Sequence, residues 1–130
     1  MKIFTLKKRK DFIKAAQAFK SVRNGLVLQA AFNLSEKAKD CCFLGYTATK
    51  KIGKAHVRNR TKRRLRAAAK IVFAKMGLPG VNYVLIGRHN TAMLEFSYLL
   101  RRMEEAVCEI NAQLEAKGSD NAQKANDSAD

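Results

Sequence analysis

The stretch that decides the fold covers residues 54–76 and reads KAHVRNRTKRRLRAAAKIVFAKM. At about 100° per residue, its apolar side chains fall on one side of a helix: Leu65, Ala68, Ala69, Val72 and Met76. Its other side carries the basic side chains Arg60, Lys62, Arg63, Arg66 and Lys70. The helix ends at Gly77-Leu78-Pro79-Gly80, because proline cannot continue it. We therefore predict one long helix with an apolar stripe and a dense cationic face.

The elements on either side of this helix follow from periodicity and turn residues. The predicted order is a helix over 7–20, strands over 26–34 and 41–49, the basic helix, a strand over 81–87 and a helix over 95–117. Asn24-Gly25 is a turn signal, and the polar segment 35–40 looks like a hairpin connection. The second strand places Phe43, Gly45, Thr47 and Thr49 on one face. This α-β-β-α-β-α order predicts an α+β sandwich with a small central sheet.

Composition suggests the domain organisation and the compartment. A chain of 130 residues is expected to form one domain, which we place at 1–117. Residues 118–130 contain no large apolar side chain and are expected to form a flexible polar tail. The chain has no transmembrane-length apolar run and no secretory signal at its start, and its cysteines (Cys41, Cys42, Cys108) lack zinc-ligand spacing. We therefore expect a cytoplasmic protein, and the pattern assigns no role to Cys41-Cys42.

The positive charge is concentrated in the first part of the chain. The net charge of +15 divides into 21 basic and 3 acidic residues over 1–75, and 5 basic and 8 acidic residues over 76–130. Residues 50–70 alone contain ten Lys and Arg and no acid. Like charges one helical turn apart repel, and arginine matches phosphate oxygens bidentately, so a polyanion is the expected partner. We favour nucleic acid over a membrane, and RNA over DNA, because the chain shows neither a helix-turn-helix nor a zipper.

No catalytic or metal-binding constellation is evident in the sequence. The only histidines, His56 and His89, lie in no metal-binding spacing, and the glycines form no nucleotide-binding loop. Few acids accompany the basic half, so paired-carboxylate chemistry is also disfavoured. We therefore predict no catalytic residue and no metal ligand in this chain.

The spaced motif over residues 45–66, GYTATKKIGKAHVRNRTKRRLR, resembles the signature of the bacterial ribonuclease P protein subunit. The similarity extends to Leu6 and Asp11-Phe12 before the motif, and to Tyr83-Val84-Leu85-Ile86 and Arg88 after it. It covers residues 6–114. A lone Arg-Asn-Arg would be weak evidence, whereas the whole string on one strand–helix unit is highly specific.

The resemblance implies a function, partners and a topology. Ribonuclease P removes the 5′ leader of precursor tRNA by endonucleolytic hydrolysis, and in the bacterial enzyme the catalytic centre belongs to the RNA subunit. The expected partners are therefore that catalytic RNA and precursor tRNA. Mg²⁺ is expected on the RNA and no cofactor on the protein, with one protein monomer per RNA. The implied β-α-β crossover is left-handed, as in the second domain of a small-subunit ribosomal protein, although general rules favour the right-handed sense.

The resemblance also implies two sets of site residues. Those expected to bind the catalytic RNA are Lys54, Arg58, Asn59, Arg60, Lys62, Arg63 and Arg66. Those expected to bind the leader, in a cleft between the first helix and the sheet, are Phe12, Lys50, Lys51 and Arg88. Ala16 and Gln29 stand where the family often has aromatic residues, which leaves more of the leader binding to charge. Core packing is the alternative role for Phe12.

Two other functions stay open at this point. A structural RNA-binding protein of ribosomal type would account for the charge and the fold, but not for the full motif. An independent nuclease would need catalytic residues that the sequence does not offer.

Overall fold

The computed structural model describes the secondary structure of residues 1–128 and the side chains of residues 1–118. Its strands are β1 (Lys2–Thr5), β2 (Phe19–Arg23), β3 (Leu26–Phe32), β4 (Cys41–Thr47) and β5 (Val81–Gly87). Its helices are α1 (Arg9–Gln17), α2 (Ala55–Met76) and α3 (Phe96–Ser128), with short 3-10 turns at Glu36–Ala38 and Lys50–Ile52. The predicted basic helix is thus confirmed as α2.

The five strands form one sheet in the order β1-β4-β5-β3-β2. β4 pairs in parallel with both β1 and β5, whereas β3 pairs antiparallel with β5 and β2. The α+β architecture is therefore confirmed, with α2 connecting the parallel strands β4 and β5. The left-handed sense of that crossover stays an expectation from the resemblance.

Helices cover both faces of the sheet, and the residues of β4 show which helices lie on each face. Cys42 and Leu44 belong to the large core cluster formed with α2 and α3. Phe43 instead packs in a smaller cluster with Phe12 and Ala15 of α1. Because successive strand residues point to opposite faces, α1 lies on one face and α2 and α3 on the other. The common face predicted for Phe43 and Gly45 is confirmed by this packing.

Strand alternation also explains how two adjacent cysteines can both be buried. Cys41 and Cys42 are both buried free thiols, and they point to opposite faces of β4. Burial, with a smaller effect from neighbouring Cys41, raises the pKa of the Cys42 thiol to about 11. Cys42 therefore stays protonated near neutral pH and packs as a small apolar side chain.

The predicted helical stripes are also confirmed. In α2, Leu65, Ala68, Ala69 and Val72 are buried and Met76 is partly buried. In α3, the predicted stripe residues Leu99, Met103, Val107, Ile110 and Leu114 are buried, with Leu100 partly buried beside them. These stripes seal one face of the sheet and leave the basic side of α2 outward.

Two strands were not predicted from the sequence. β1 lies at the sheet edge and all four of its residues are exposed, so it has no alternation of burial for a pattern to report. The predicted helix over 7–20 includes Phe19 and Lys20, the first two residues of β2, because Phe19 fits a helical spacing. The helix ends instead at Gln17, and Phe19 pairs with Ala30 of β3 and packs edge-on against Phe32.

The hairpin predicted between the strands at 26–34 and 41–49 was wrong. β5 lies between β3 and β4 and pairs with both, so residues 33–40 connect two strands that are not neighbours. The true hairpin joins β2 to β3 at Asn24-Gly25, where Gly25 has a φ of 97°. That conformation favours glycine. Local polarity marked both turns but did not identify the partner strands.

The last helix extends beyond its predicted end at 117 and continues to Ser128. Residues 118–128 are thus part of α3. The division into a domain over 1–117 and a flexible tail over 118–130 stays a prediction, and residues 129–130 lie outside the described residues. None of the helices described is long and apolar enough to cross a bilayer.

Candidate nucleic-acid interface

The residues expected to bind the catalytic RNA lie within the first twelve residues of α2 and at its N-cap. We call this set the motif face: Lys54, Arg58, Asn59, Arg60, Lys62, Arg63 and Arg66. All are exposed except Arg58 and Lys62, which are partly buried. The first turn of α2 contains no acidic residue. The motif face can therefore present cations and an amide to an anionic ligand.

The motif face is held against the sheet by tight packing beneath it. Thr61 is fully buried, and its hydroxyl donates to the carbonyl of Val57 at 2.9 Å. Its methyl group lies against Gly87, at the end of β5, where an added Cβ atom would clash with it. Glycine at this position lets the N-terminal half of α2 lie close to the sheet edge.

Arg64 has a structural role that the sequence did not separate from the other basic residues. Its guanidinium donates to the carbonyl oxygens of Thr91 (2.8 Å) and Leu94, in the loop before α3. Burial, with repulsion from Arg60, lowers the pKa of Arg64. Arg64 is thus turned toward the protein and does not belong to the motif face.

Arg66 is oriented by an aromatic ring. Its guanidinium carbon lies 5.4 Å from the centre of the Tyr46 ring in β4, a cation–π distance. Burial raises the pKa of Tyr46, partly offset by the Arg66 charge, so the ring stays neutral. This contact holds one cation of the motif face in place before any ligand binds.

Lys50, Lys51 and Arg88 lie at one edge of the sheet. β4 and β5 are parallel and pair Thr47 with Ile86, so the segments that follow them leave from the same edge. Lys50 and Lys51 are exposed on the 3-10 turn, and Arg88 is partly buried after β5. We call these three residues, together with Phe12, the edge surface.

Phe12 is the one residue of the edge surface that comes from α1, the helix that packs on the sheet. Its ring lies directly on Gly45, where an added Cβ atom would come within 2.6 Å of the ring carbons Cε1 and Cζ. The side chain is only partly buried, although it packs with Leu6 and Ala15. One side of the ring therefore packs on β4 while part of it stays accessible.

An open strip of sheet adjoins Phe12. The register places Thr47, Ile86, Val27 and Val22 side by side across four strands. Val22, on the edge strand β2, is 51% exposed. Gln29 is partly buried on the same face and Ala16 is exposed on α1. The strip is partly apolar and is followed at the ends of β4 and β5 by the cations of the edge surface.

The loop that carries Arg88 is held by several hydrogen bonds. The Arg88 amide donates to the Thr91 hydroxyl at 2.7 Å, and that hydroxyl donates to the Gly25 carbonyl at 2.5 Å. With the two bonds from Arg64, they fix residues 88–94 against α2 and the β2–β3 turn. The position of Arg88 is therefore set by tertiary contacts.

The histidines and acids form no cluster that suggests metal binding or catalysis within the described part of the chain. His56 is exposed in the first turn of α2, and His89 is exposed in the loop after β5. Among the described residues, no three His, Cys, Asp or Glu side chains come together in a way that could hold a metal ion. The absence of catalytic residues stays a prediction.

Comparison with known proteins adds a family match and close relatives. The family model described as Ribonuclease P matches residues 2–111. The ribonuclease P protein component of Ruegeria pomeroyi is 42% identical over 111 residues, covering 85% of this chain and 88% of that protein. The one from Gluconacetobacter diazotrophicus is 47% identical over 96 residues, covering 73% of this chain and 80% of that protein.

Solved structures show the same fold. The RNase P protein of Staphylococcus aureus superposes with a TM-score of 0.64 at 23% identity, covering 79% of this chain and 91% of that one. The RNase P protein of Thermotoga maritima gives a TM-score of 0.63 at 22% identity, with 76% and 90% covered. At these identities the structures support the fold, and the sequence relatives support the family.

Proposed function

Since the chain belongs to the ribonuclease P protein family, and so acts as a protein subunit in the processing of tRNA 5′ ends, we propose how its two surfaces divide that work. The motif face binds the catalytic RNA, and the edge surface with its open strip binds the 5′ leader of precursor tRNA. The observation that carries this proposal is their geometry. Lys50 and Lys51 of the edge surface directly precede Lys54, the N-cap of α2, while Phe12 and α2 lie on opposite faces of the sheet, so one small protein can contact two RNA segments at once.

The charge balance of α2 supports RNA binding by the motif face. The ion pairs found within residues 1–118 are Arg23–Glu109 and Arg102–Glu105, and both use acids of α3. The motif face takes part in neither. Like charges on neighbouring turns destabilise an isolated helix, and phosphate groups would remove that repulsion. Arginine and lysine also supply the phosphate contacts that dominate nucleic-acid affinity.

The edge surface has the features of a single-strand site. Unpaired bases stack on aromatic rings and flat apolar surfaces while cations follow the phosphate backbone. Phe12 and the open strip supply the stacking surface, and Lys50, Lys51 and Arg88 supply the cations. Because Ala16 and Gln29 offer no rings, we propose that charge contributes more than stacking to leader binding in this protein.

The chemical step itself we assign to the catalytic RNA. Mg²⁺ bound to that RNA would supply the activated water and stabilise the leaving oxygen. The field of residues 1–75, with 21 basic and 3 acidic side chains, attracts phosphate and disfavours Mg²⁺ on the protein. We propose one protein monomer per catalytic RNA, working in the cytoplasm.

Precursor-tRNA cleavage at low Mg²⁺ tests this function. The assay compares the protein alone, the catalytic RNA alone and the two together. We expect cleavage to be fastest with both and absent with the protein alone. Activity of the protein alone would indicate an independent nuclease. Failure to stimulate the RNA would favour a structural RNA-binding protein of ribosomal type.

A further inference from the structure

A second basic groove lies on the same face of the sheet, on the other side of α1. α1 crosses the strands, because Phe12 lies on Gly45 and Ala15 packs with Val84. It therefore divides this face in two. Thr47 and Ile86 lie toward the edge surface, and Phe43 and Asn82 lie beyond α1. The second half is a groove of about 770 Å³ between α1 and the segment that follows β3.

Five lysines line this groove, and we call it the lysine groove. They are Lys7, Lys8, Lys10, Lys14 and Lys37, all exposed, against a single acid, Asp11. At about 100° per residue, Lys10 and Lys14 lie on the flank of α1 opposite Phe12 and Ala16. The lysine groove therefore shares no lining residue with the edge surface, and it has the charge of a site for phosphate groups.

The lining of the groove includes a polar residue in an otherwise apolar strand. Asn82 is only 4% exposed, in the central strand VNYVLIG, and it lines the lysine groove. Its Oδ1 accepts a hydrogen bond from the Asn33 side chain at 3.1 Å, and Asn33 Oδ1 in turn accepts from the Ser35 amide at 3.1 Å. The side-chain hydrogen bonds found within residues 1–118 include none donated by the Asn82 side-chain nitrogen Nδ2. A polar group in this position suits the edge of a nucleotide base.

The cations at the start of α1 offer a route between the edge surface and the lysine groove. α1 begins at Arg9 with Lys8 as its N-cap, directly after Lys7. This end of α1 lies near β4, because the Leu6 amide donates to the Leu44 carbonyl at 2.8 Å. A strand leaving Lys50 and Lys51 at the end of β4 could therefore follow Lys8 and Arg9 around α1 into the groove.

We propose that the lysine groove binds leader nucleotides upstream of those at the edge surface, an inference that rests on the proposed function. The lysines contact phosphates, and Asn82 contacts a base. A single-stranded leader suits this route because an RNA duplex is too stiff and too wide to turn around a short helix. The protein then holds a longer part of the leader than the edge surface alone can reach.

The test uses the complex with the catalytic RNA and measures affinity for precursor tRNAs with leaders of about 4 and about 16 nucleotides, the usual range of single-strand sites. The groove variant is Lys14→Gln with Lys37→Gln. The matched control is Lys75→Gln with Lys117→Gln, which removes the same charge outside the groove and both proposed surfaces. We expect wild type and control to bind the long leader more tightly than the short one. The groove variant should lose that gain.

Salt dependence adds a second readout. Each phosphate contact to a single strand contributes roughly 0.7 to the slope of log K against log salt, so the groove variant should lower the slope by about 1.4 for the long leader only. Asn82→Ala changes no charge, and should weaken long-leader binding at an unchanged slope. If that variant fails to fold, the lysine variants still decide the matter.

Three results would overturn the inference. The first is a groove variant that matches the control on the long leader. The second is an equal loss on both leaders, which would assign these lysines to the catalytic RNA. The third is a wild-type complex that does not bind precursor tRNA more tightly than mature tRNA. Only this third result would also reject the proposed function.

Discussion

At the residue scale, neighbouring arginines of α2 have different roles because the helix turns them toward different surroundings. Arg60 is exposed, Arg64 donates to two loop carbonyls, and Arg66 lies over the Tyr46 ring. All three belong to one run of basic residues in the sequence. Only the first is free to use its whole guanidinium on a ligand. The composition does not distinguish these three arginines, but substitutions should affect the free energy of unfolding and the RNA affinity differently at each.

Replacing Arg60 and Arg64 separately tests this difference. Arg60→Ala should weaken binding to the catalytic RNA and leave the free energy of unfolding nearly unchanged. Arg64→Ala should lower the free energy of unfolding by about 1–3 kcal/mol, because two carbonyl groups lose a charged donor. Chemical denaturation and RNA titration measure the two effects. A large loss of stability in Arg60→Ala would mean that this arginine is structural.

Phe12 offers a test of base stacking at the edge surface. Phe12→Leu keeps an apolar side chain on Gly45 but removes the aromatic ring. We expect weaker binding of precursor tRNA by about 1–3 kcal/mol, the usual value of one base–aromatic stack, and little change for mature tRNA. Titrations of the two tRNAs check this. Equal effects on both would support core packing as the only role of Phe12.

At the element scale, the position of α1 depends on a small residue in β4. Gly45 leaves room for the Phe12 ring, which lies within 2.6 Å of the position that a Cβ atom would take. α1 is short and only Ala15 is fully buried, so this contact matters for its placement. The same helix separates the edge surface from the lysine groove. A shift of α1 should therefore change leader binding without touching the motif face.

Gly45→Ala should displace α1. Overpacking at this contact is expected to cost about 1–3 kcal/mol of unfolding free energy. Leader binding should weaken, while catalytic-RNA binding stays close to wild type. Adding Phe12→Ala removes the clash, so the double variant should lose less stability than the sum of the two single losses. A double variant that is destabilised by the simple sum of both changes would contradict the direct contact.

At the scale of the whole molecule, the net charge of +15 is arranged around one sheet. The motif face lies on α2, and the edge surface and lysine groove lie on the α1 side. The acids gather on α3, where they make both ion pairs seen within residues 1–118. This separation leaves the cations of α1 and α2 available to phosphate, and it makes binding sensitive to salt.

Salt dependence of catalytic-RNA binding measures how many cations take part. If six to eight groups contact phosphates, log K should fall against log salt with a slope of roughly −4 to −7. Combining Arg60→Ala with Arg63→Ala should reduce the size of this slope by about 1.4 to 1.8, at roughly 0.7–0.9 per contact. Lys75→Gln with Lys117→Gln is the control. A wild-type slope near −1 would remove the motif face from the interaction.

The sequence alone determined the parts that depend on local pattern. Periodicity located α2, β5 and the stripe of α3, and the motif over residues 45–66 indicated the family. The sequence did not reveal β1 and β2, because an exposed edge strand and a short hairpin strand show no clear alternation of buried and exposed residues. It also joined β3 to β4 wrongly, since polarity marks a turn without identifying the partner strand.

The family resemblance grouped Lys50, Lys51 and Arg88, but only the tertiary structure shows the contacts that bring them together. The parallel pairing of β4 and β5 brings Lys50, Lys51 and Arg88 to one edge, although more than 35 residues separate the first from the last. Packing of α1 on Gly45 then divides the open face into the edge surface and the lysine groove. Sequence patterns show which side of each element is buried, but not which other element buries it. The arrangement of charges depends on contacts between distant elements, which the fold alone establishes.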